Sequence, residues 1–367
     1  MRLLQSANLL FRPIKRGTFI LFIAMISYIS FSLFLFSAAI NPSLTGETQQ
    51  HISADSVRYM YYAQSLRDGG SDPFVLAALY SFPNTLWAPV LMSLLLQNTL
   101  LIVVANYAAF LWSVWLFSQV TNVRIGVLLA LLLGNATTLV SLLSVNKEIL
   151  DLLATALFCY WISRRKAWAL VMALGIALVN RYEICVAMLL YIGVQSRWNP
   201  LRRFRSATLI VFCIICSVAL PILLSQNMTY RLEEVSADNS GILLLLDNLQ
   251  MHFLFFLSII PKLLLNLFAQ LSKLRFDMND PANTTILFFN NVANLFVLIL
   301  LAMQKRWSLR QDWIYYAVLN AMVMSIALVV QPRYFYSFYA ILCLEASRVP
   351  NLSERFQRLE LRKRTVG

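Results

Sequence analysis

The chain is 367 residues long, 59% hydrophobic and only 13% charged, with a mean hydropathy of +0.68 and a formal net charge of +13. Soluble globular chains carry about twice that share of charge, and their apolar runs stop short of membrane-spanning length. The composition therefore excludes an ordinary soluble domain and predicts an all-α, polytopic membrane helical bundle.

The first long apolar run, Gly17–Ile40, is too long for the h-region of a secretory signal and lacks a small-residue cleavage site before polar sequence. It predicts a first membrane helix. The segment "SADSVRYMYYAQSLRDGG" (53–70) predicts a short helix, with Ser53 or Asp55 near its cap and Gly69-Gly70 ending it. Asp55, Tyr59, Tyr62 and Leu66 then share one face. Asp55 reads either as a helix cap or as a carboxylate held at the membrane surface beside aromatic rings, which suit sugars and interfaces alike.

A second membrane helix is predicted from about 93 to 118. Residues 125–163 must cross twice, because 39 helical residues would span roughly 58 Å, about twice a hydrocarbon core. A further hairpin is predicted over 167–196, single crossings over 207–225 and about 284–303, and a last hairpin over 312–347. The apolar stretch 241–272 predicts one or two helices lying in or dipping into the outer interface. That gives about ten crossings in a single domain over 1–367. Outside it expects the segment 41–92 and an acidic loop with interfacial helices, 226–283; inside it expects a basic tail, 348–367.

Sidedness follows from the cations. Six clusters hold 21 of the 30 Lys and Arg: Arg2 to Arg16, Arg124, Arg164–Lys166, Arg197 to Arg205, Lys305 to Arg310, and Arg348 to Arg364. The positive-inside rule places all six, and both termini, in the cytoplasm. Nucleic acid is not needed to explain them, so none is expected as a partner.

Each hairpin tip then faces outward and carries charge: "NKE" (146–148), "NRYE" (180–183) and "QPRY" (331–334). The arms are short, roughly 22 Å for Ile149–Ser163, so the tips are expected to sit recessed in a polar cavity open to the outside. Ionisable groups at such depth mark functional sites by default. The bland alternative is local pairing, Lys147 with Asp151 one turn on and Arg181 with Glu183 across a turn. The five cysteines all lie in apolar runs, and Cys213-x-x-Cys216 has no second Cys or His pair nearby, so neither a disulfide nor a zinc site is expected. His51 and His252 read as ordinary surface or interface residues, and the Asn-x-Ser/Thr triplets as chance.

The order of these elements resembles the GT-C superfamily of integral-membrane glycosyltransferases. The resemblance is carried by the Asp-Tyr-Ala helix after the first membrane helix, the Pro-containing "LYSFPNTLWAP" (79–89), "NKEILDLLATALFCYW" (146–161), "ALGIALVNRYEICVAML" (173–189) and the late "QPRYFYSFYAIL" (331–342). It implies an essential acidic residue in the first outer loop, which here is Asp55, and an Arg-Tyr element at Arg333 and Tyr334. Many members carry two neighbouring acidic residues in that loop; Ala54-Asp55-Ser56 supplies one, which leaves a divalent cation open but without paired carboxylates to hold it. The Lys147-Glu148 pair is similar to what bacterial members that build surface polysaccharides carry, and implies a bacterial cytoplasmic membrane.

The chemistry agrees with that resemblance. Nucleotide sugars are cytoplasmic, and no phosphate-cradling glycine loop occurs among the 10 glycines. An outward-facing transferase takes its sugar from a polyprenyl phosphate or diphosphate and passes it to a glycan or lipid-linked acceptor. It needs a base for the acceptor hydroxyl and cations for the departing phosphate. Asp55 is the expected base; Lys147, Arg181 and Arg333, with Tyr334, are expected at the carrier phosphate. Glu148 and Glu183 are expected to orient those cations or hold sugar hydroxyls, and Tyr59 and Tyr62 to face the sugar or acceptor. Asp151 is expected to partner Lys147. A polymerase of lipid-linked repeat units is the runner-up. A transporter or flippase would favour inverted repeats and Gly/Pro-broken helices, and an acyltransferase a catalytic histidine.

Overall fold

The computed structural model describes residues 99–144, 147–225, 242–268, 281–304, 308–326 and 332–349, together with Tyr59, Tyr61, Tyr62, Ser65 and Val90. The predicted helix 17–40, Asp55, most of the segment 41–92, the loop 226–241, Lys305-Arg306 and the tail beyond Val349 lie outside the described residues.

Twelve α-helices are found among the described residues, with no strand beyond an isolated bridge between Val123 and Arg348. They are α1 (Thr99–Val120), α2 (Ile125–Leu133), α3 (Ala136–Leu143), α4 (Glu148–Arg164), α5 (Ala167–Asn180), α6 (Tyr182–Gln195), α7 (Arg205–Ser225), α8 (Ile242–Met251), α9 (Phe255–Phe268), α10 (Pro281–Gln304), α11 (Asp312–Met324) and α12 (Tyr336–Ser347). Short 3-10 turns at Pro200–Arg203 and Pro332–Phe335 precede α7 and α12. Every predicted hairpin arm that falls on described residues is helical.

Local chemistry explains where the helices stop. Glu148 and Asp151 occupy the first turn of α4 and Arg164 its last, both complementing the helix dipole. Arg165 then turns left-handed (φ 55°), and its N–H bonds Trp161 O at 2.7 Å to close the end. A single extended residue, Arg181 (φ −156°, ψ 97°), separates α5 from α6. Phe253, at φ 63°, lies between α8 and α9, so the predicted interfacial stretch is two helices.

The outgoing arm of the 125–163 hairpin is not one helix as expected. It breaks at Gly134-Asn135, and α2 and α3 meet at 79°. Asn135 caps α3, its Oδ1 accepting from Thr137 N at 2.9 Å. Asn290 on α10 braces the same turn, accepting from Thr137 N at 2.9 Å and donating to Thr137 Oγ1 at 3.0 Å. Tyr336 and Tyr339 on α12 complete the brace through Thr138 Oγ1 (2.7 Å) and Leu131 O (2.6 Å). A helix broken inside an apolar interior survives only when neighbours satisfy its freed backbone groups in this way.

The core lies between α4, α5, α6, α11 and α12. Ala169, Ala173 and Ala177 form a fully buried stripe along α5, which packs on α4, letting the two backbones approach closely. Phe158, Tyr191 and Tyr316 meet with ring centroids 4.6–5.9 Å apart, joining α4, α6 and α11.

The two ends of this bundle differ. At one, Arg164 Nε donates to Gln119 O at 3.0 Å, Arg124 N to Ser347 O at 2.9 Å, and Trp313 Nε1 to Glu345 at 2.9 Å, while Arg205 pairs with Asp312. The end of α1 and the arginine-flanked termini of α2, α4, α7, α11 and α12 therefore collect there. At the other end the start of α4, the junction of α5 with α6, and the 3-10 turn before α12 come together.

Large apolar side chains cover the sides. Ile210, Ile214, Val218 and Ile222 on α7, and Phe288, Phe289, Val292 and Phe296 on α10, are all exposed. By length and composition, one helix among the described residues, Leu101–Val120, suffices to cross a membrane, or two spans if the bent α2–α3 pair acts as one.

Candidate functional site

The charged residues predicted at two hairpin tips, and the Arg-Tyr pair of the third, converge. Arg181 is the hub. Its Nη2 lies 3.4 Å from Glu148 Oε1 and its Nη1 3.2 Å from Asp151 Oδ2. Nη1 also donates to Arg333 O at 3.5 Å, a weak bond. The guanidinium plane covers the Tyr334 ring at 4.8 Å, and Arg333 approaches the same ring at 5.8 Å. One residue thus ties the 147–151 turn to the 333–334 turn.

Its position follows from the backbone. Because Arg181 is the only residue between two helices of 14 residues each, its side chain leaves the hairpin at its apex. The apex packs against the first turn of α4, where Glu148 and Asp151 lie close to one face, three residues apart. Asn180 adds the third contact: its Nδ2 donates to Asp151 Oδ1 at 2.6 Å and to Lys147 O at 2.9 Å. Sequence reasoning passed over Asn180. Its one signal was an amide in the final position of an otherwise apolar helix.

The ion pairs run between hairpins. Asp151, expected to partner Lys147, has Arg181 within ion-pair distance across the bundle, and Arg181, for which the bland alternative was Glu183, takes Glu148 and Asp151. The reason is packing. Two short hairpins meeting tip to tip let one buried fork reach two carboxylates, which a pair along one helix face cannot match. At the centre Glu148 (2% exposed), Asp151 (0%), Asn180 (0%) and Arg181 (5%) are buried and packed against one another.

Lys147 and Arg333, by contrast, are half-buried at the margin of this cluster. Lys147 Nζ sits over the Tyr59 ring at 5.5 Å. Tyr59 and Tyr62 are both buried while Tyr61 is exposed, which agrees with the predicted shared face. Glu183 is half-buried close by in sequence, and its Oε2 and Glu148 Oε2 are buried without a hydrogen bond. Asp55, four residues before Tyr59, is outside the described residues.

The site thus divides into two layers. Inside is a buried Arg181–Glu148–Asp151–Asn180 knot carrying two carboxylates against one guanidinium. Around it stand two cations, Lys147 and Arg333, each over a tyrosine ring. Sequence reasoning also missed Lys262 on α9, buried and hydrogen-bonded to Gln250 on α8, whose Nε2 donates to Ile326 O at 2.8 Å. Helix α9, which carries it, packs on the Pro332–Phe335 turn. Among the described residues no group of three or more His, Cys, Asp or Glu is placed to hold a metal ion.

Compared with protein-family models, curated proteins and solved structures, the chain matches none of them.

Proposed function

We propose that this chain is a polytopic membrane glycosyltransferase of about ten crossings, with both termini cytoplasmic in a bacterial inner membrane. It would move a sugar from a polyprenyl-phosphate or -diphosphate carrier to a glycan or lipid-linked acceptor on the outer side. The observation that carries the proposal is the gathering of Lys147, Arg181, Arg333, Tyr334 and Tyr59 at one end of the bundle, opposite the arginine-bearing helix termini. Exposed apolar side chains along α7 and α10 support a lipid environment.

In this reading the Asp55 carboxylate takes the proton of the acceptor hydroxyl. The acceptor oxygen bonds to the anomeric carbon from the face opposite the carrier. The bond from that carbon to the phosphate oxygen breaks, and its electron pair leaves with the phosphate. Lys147 and Arg333 take up that charge, which grows through the transition state and is where fixed cations help most. Arg181 is already held by two carboxylates, so its part is to position the Arg333 and Tyr334 turn against the Lys147 turn. Glu148, with one oxygen on Arg181, and the buried Tyr59 ring under Lys147 orient the cations, and Glu183 contacts sugar or acceptor.

The test is Asp55→Asn in membranes supplied with lipid-linked sugar. The variant is expected to insert normally and to form no glycan product, and wild-type turnover by it removes Asp55 from the mechanism. Vesicles containing the wild-type chain that move the labelled lipid-linked sugar without forming any glycosidic bond would overturn the transferase reading in favour of a transporter.

A further inference from the structure

At the end of the bundle opposite the charged knot, an open cavity of about 990 Å³ is lined by Gln195, Arg202, Arg203, Arg205, Ser206 and Arg310, among others. Arg205 is built into its wall: Nη1 donates to Leu309 O at 2.8 Å, the guanidinium pairs with Asp312, and it stacks on Tyr315 at 5.1 Å. Arg202, Arg203 and Arg310 differ. Their side chains are exposed and make no ion pair among the described residues. Four guanidinium groups thus line one cavity, and among the described residues only that of Arg205 is ion-paired, to Asp312.

Two further features share the cavity. Ser206 and Ala207 lie in the first turn of α7, a helix of 21 residues whose first N–H groups have no intrahelical acceptor and carry the positive end of its dipole. Phe204 lines the same wall and is 65% exposed, and Trp198, on the preceding loop, is 81% exposed. One turn further along α7 the exposed surface becomes apolar at Ile210, Val211 and Ile214. Cations, then aromatic rings, then an apolar flank match an amphiphile better than a soluble anion.

We propose that this cavity binds a phosphate carried by an anionic phospholipid, with Arg202, Arg203 and Arg310 on the headgroup oxygens and the acyl chains along the exposed face of α7. The site is distinct from the charged knot. It rests on the membrane reading given above, but not on the transferase chemistry.

The purified full chain in a neutral detergent is titrated with fluorescent phosphatidylglycerol and, separately, with phosphatidylcholine carrying the same label. Phosphatidylglycerol is expected to bind at least about tenfold more tightly. Replacing all three residues, in the variant Arg202→Gln, Arg203→Gln, Arg310→Gln, is expected to weaken it on the order of a hundredfold, about fivefold per arginine. The charge-keeping variant Arg202→Lys, Arg203→Lys, Arg310→Lys is expected to stay within a few-fold of wild type. If the triple glutamine chain does not fold, Arg310→Gln alone is read for its fivefold loss. Equal binding of the two lipids, or phosphatidylglycerol binding unchanged by the glutamines, overturns the site. Displacement of the lipid by millimolar inorganic phosphate, with the same arginine dependence, overturns the lipid as source and assigns the cavity to a soluble phosphate. Alkaline carbonate extraction of the membranes from which the chain is purified separates the premises. A chain that is released fails the membrane reading, whereas an embedded chain without arginine-dependent preference fails only the lipid site.

Discussion

Replacing Arg181 with glutamine removes one guanidinium from between two carboxylates that have almost no access to water. Glu148 is 2% exposed and Asp151 0%, and their contacts to Arg181 are 3.4 and 3.2 Å. Breaking a buried pair by deleting one partner costs about 3–5 kcal/mol, because the surviving charge stays buried and uncompensated. Loss of the contact with the Tyr334 ring at 4.8 Å adds on the order of 1 kcal/mol. The expected total of about 4–6 kcal/mol is a large part of the roughly 5–15 kcal/mol that holds a typical protein together. Arg181→Gln is therefore expected to leave little folded chain in detergent and to shift SDS-induced unfolding to much lower denaturant. A second substitution is expected to rescue the chain. Asp151→Asn in the same chain removes one of the two stranded charges while keeping an acceptor for Asn180, and should restore at least about 2 kcal/mol as a coupling energy. Stability of Arg181→Gln within about 0.5 kcal/mol of wild type, or an Asp151→Asn background that makes no difference, would refute the idea that this knot is dry and charge-paired.

Other expectations follow from single contacts. A Cβ at Gly134 would lie 2.9 Å from Ala130 O, a backbone atom fixed by the 79° break, so Gly134→Ala should cost about 1–3 kcal/mol in the same unfolding assay. Asn106→Leu should cost a similar amount, about 1–3 kcal/mol, because Asn106 Nδ2 donates to Ser141 O, Leu142 O and Ser144 O, the otherwise open end of α3. For sidedness, Asn146→Cys in a chain whose five native cysteines have been replaced should react with an impermeant thiol reagent from outside. Ser206→Cys in the same background should react only after the membrane is opened. Labelling of Asn146→Cys from the inside alone would invert the proposed orientation.

Much of the helical layout was legible along the chain. The tips at 146–148, 180–183 and 331–334 could be placed because charge interrupts each apolar arm. The first-turn acids of α4 and the left-handed Arg165 that ends it obey rules written in the neighbouring few residues. The break at Gly134-Asn135 was not legible. Glycine followed by asparagine inside an apolar run is compatible with a continuous span, and Asn290, Tyr336 and Tyr339, over 150 residues away, hold the bend open. Lys262 escaped for a related reason: on its own helix it is one polar residue among apolar ones, and Gln250 and Ile326 supply its setting.

From composition and periodicity the chain alone determined that it is helical and that its hairpins turn on charged residues. Which carboxylate meets which cation was decided only in three dimensions. Glu148 and Arg181 are 33 positions apart, and Arg181 and Arg333 152 positions apart. A local i, i+4 pair is open to any helix, whereas a guanidinium at a one-residue apex can take two carboxylates at once only when a second hairpin is packed against it. The energy of that arrangement comes from excluding water, and water is excluded by the neighbours a residue meets in the fold, not by those beside it in the sequence.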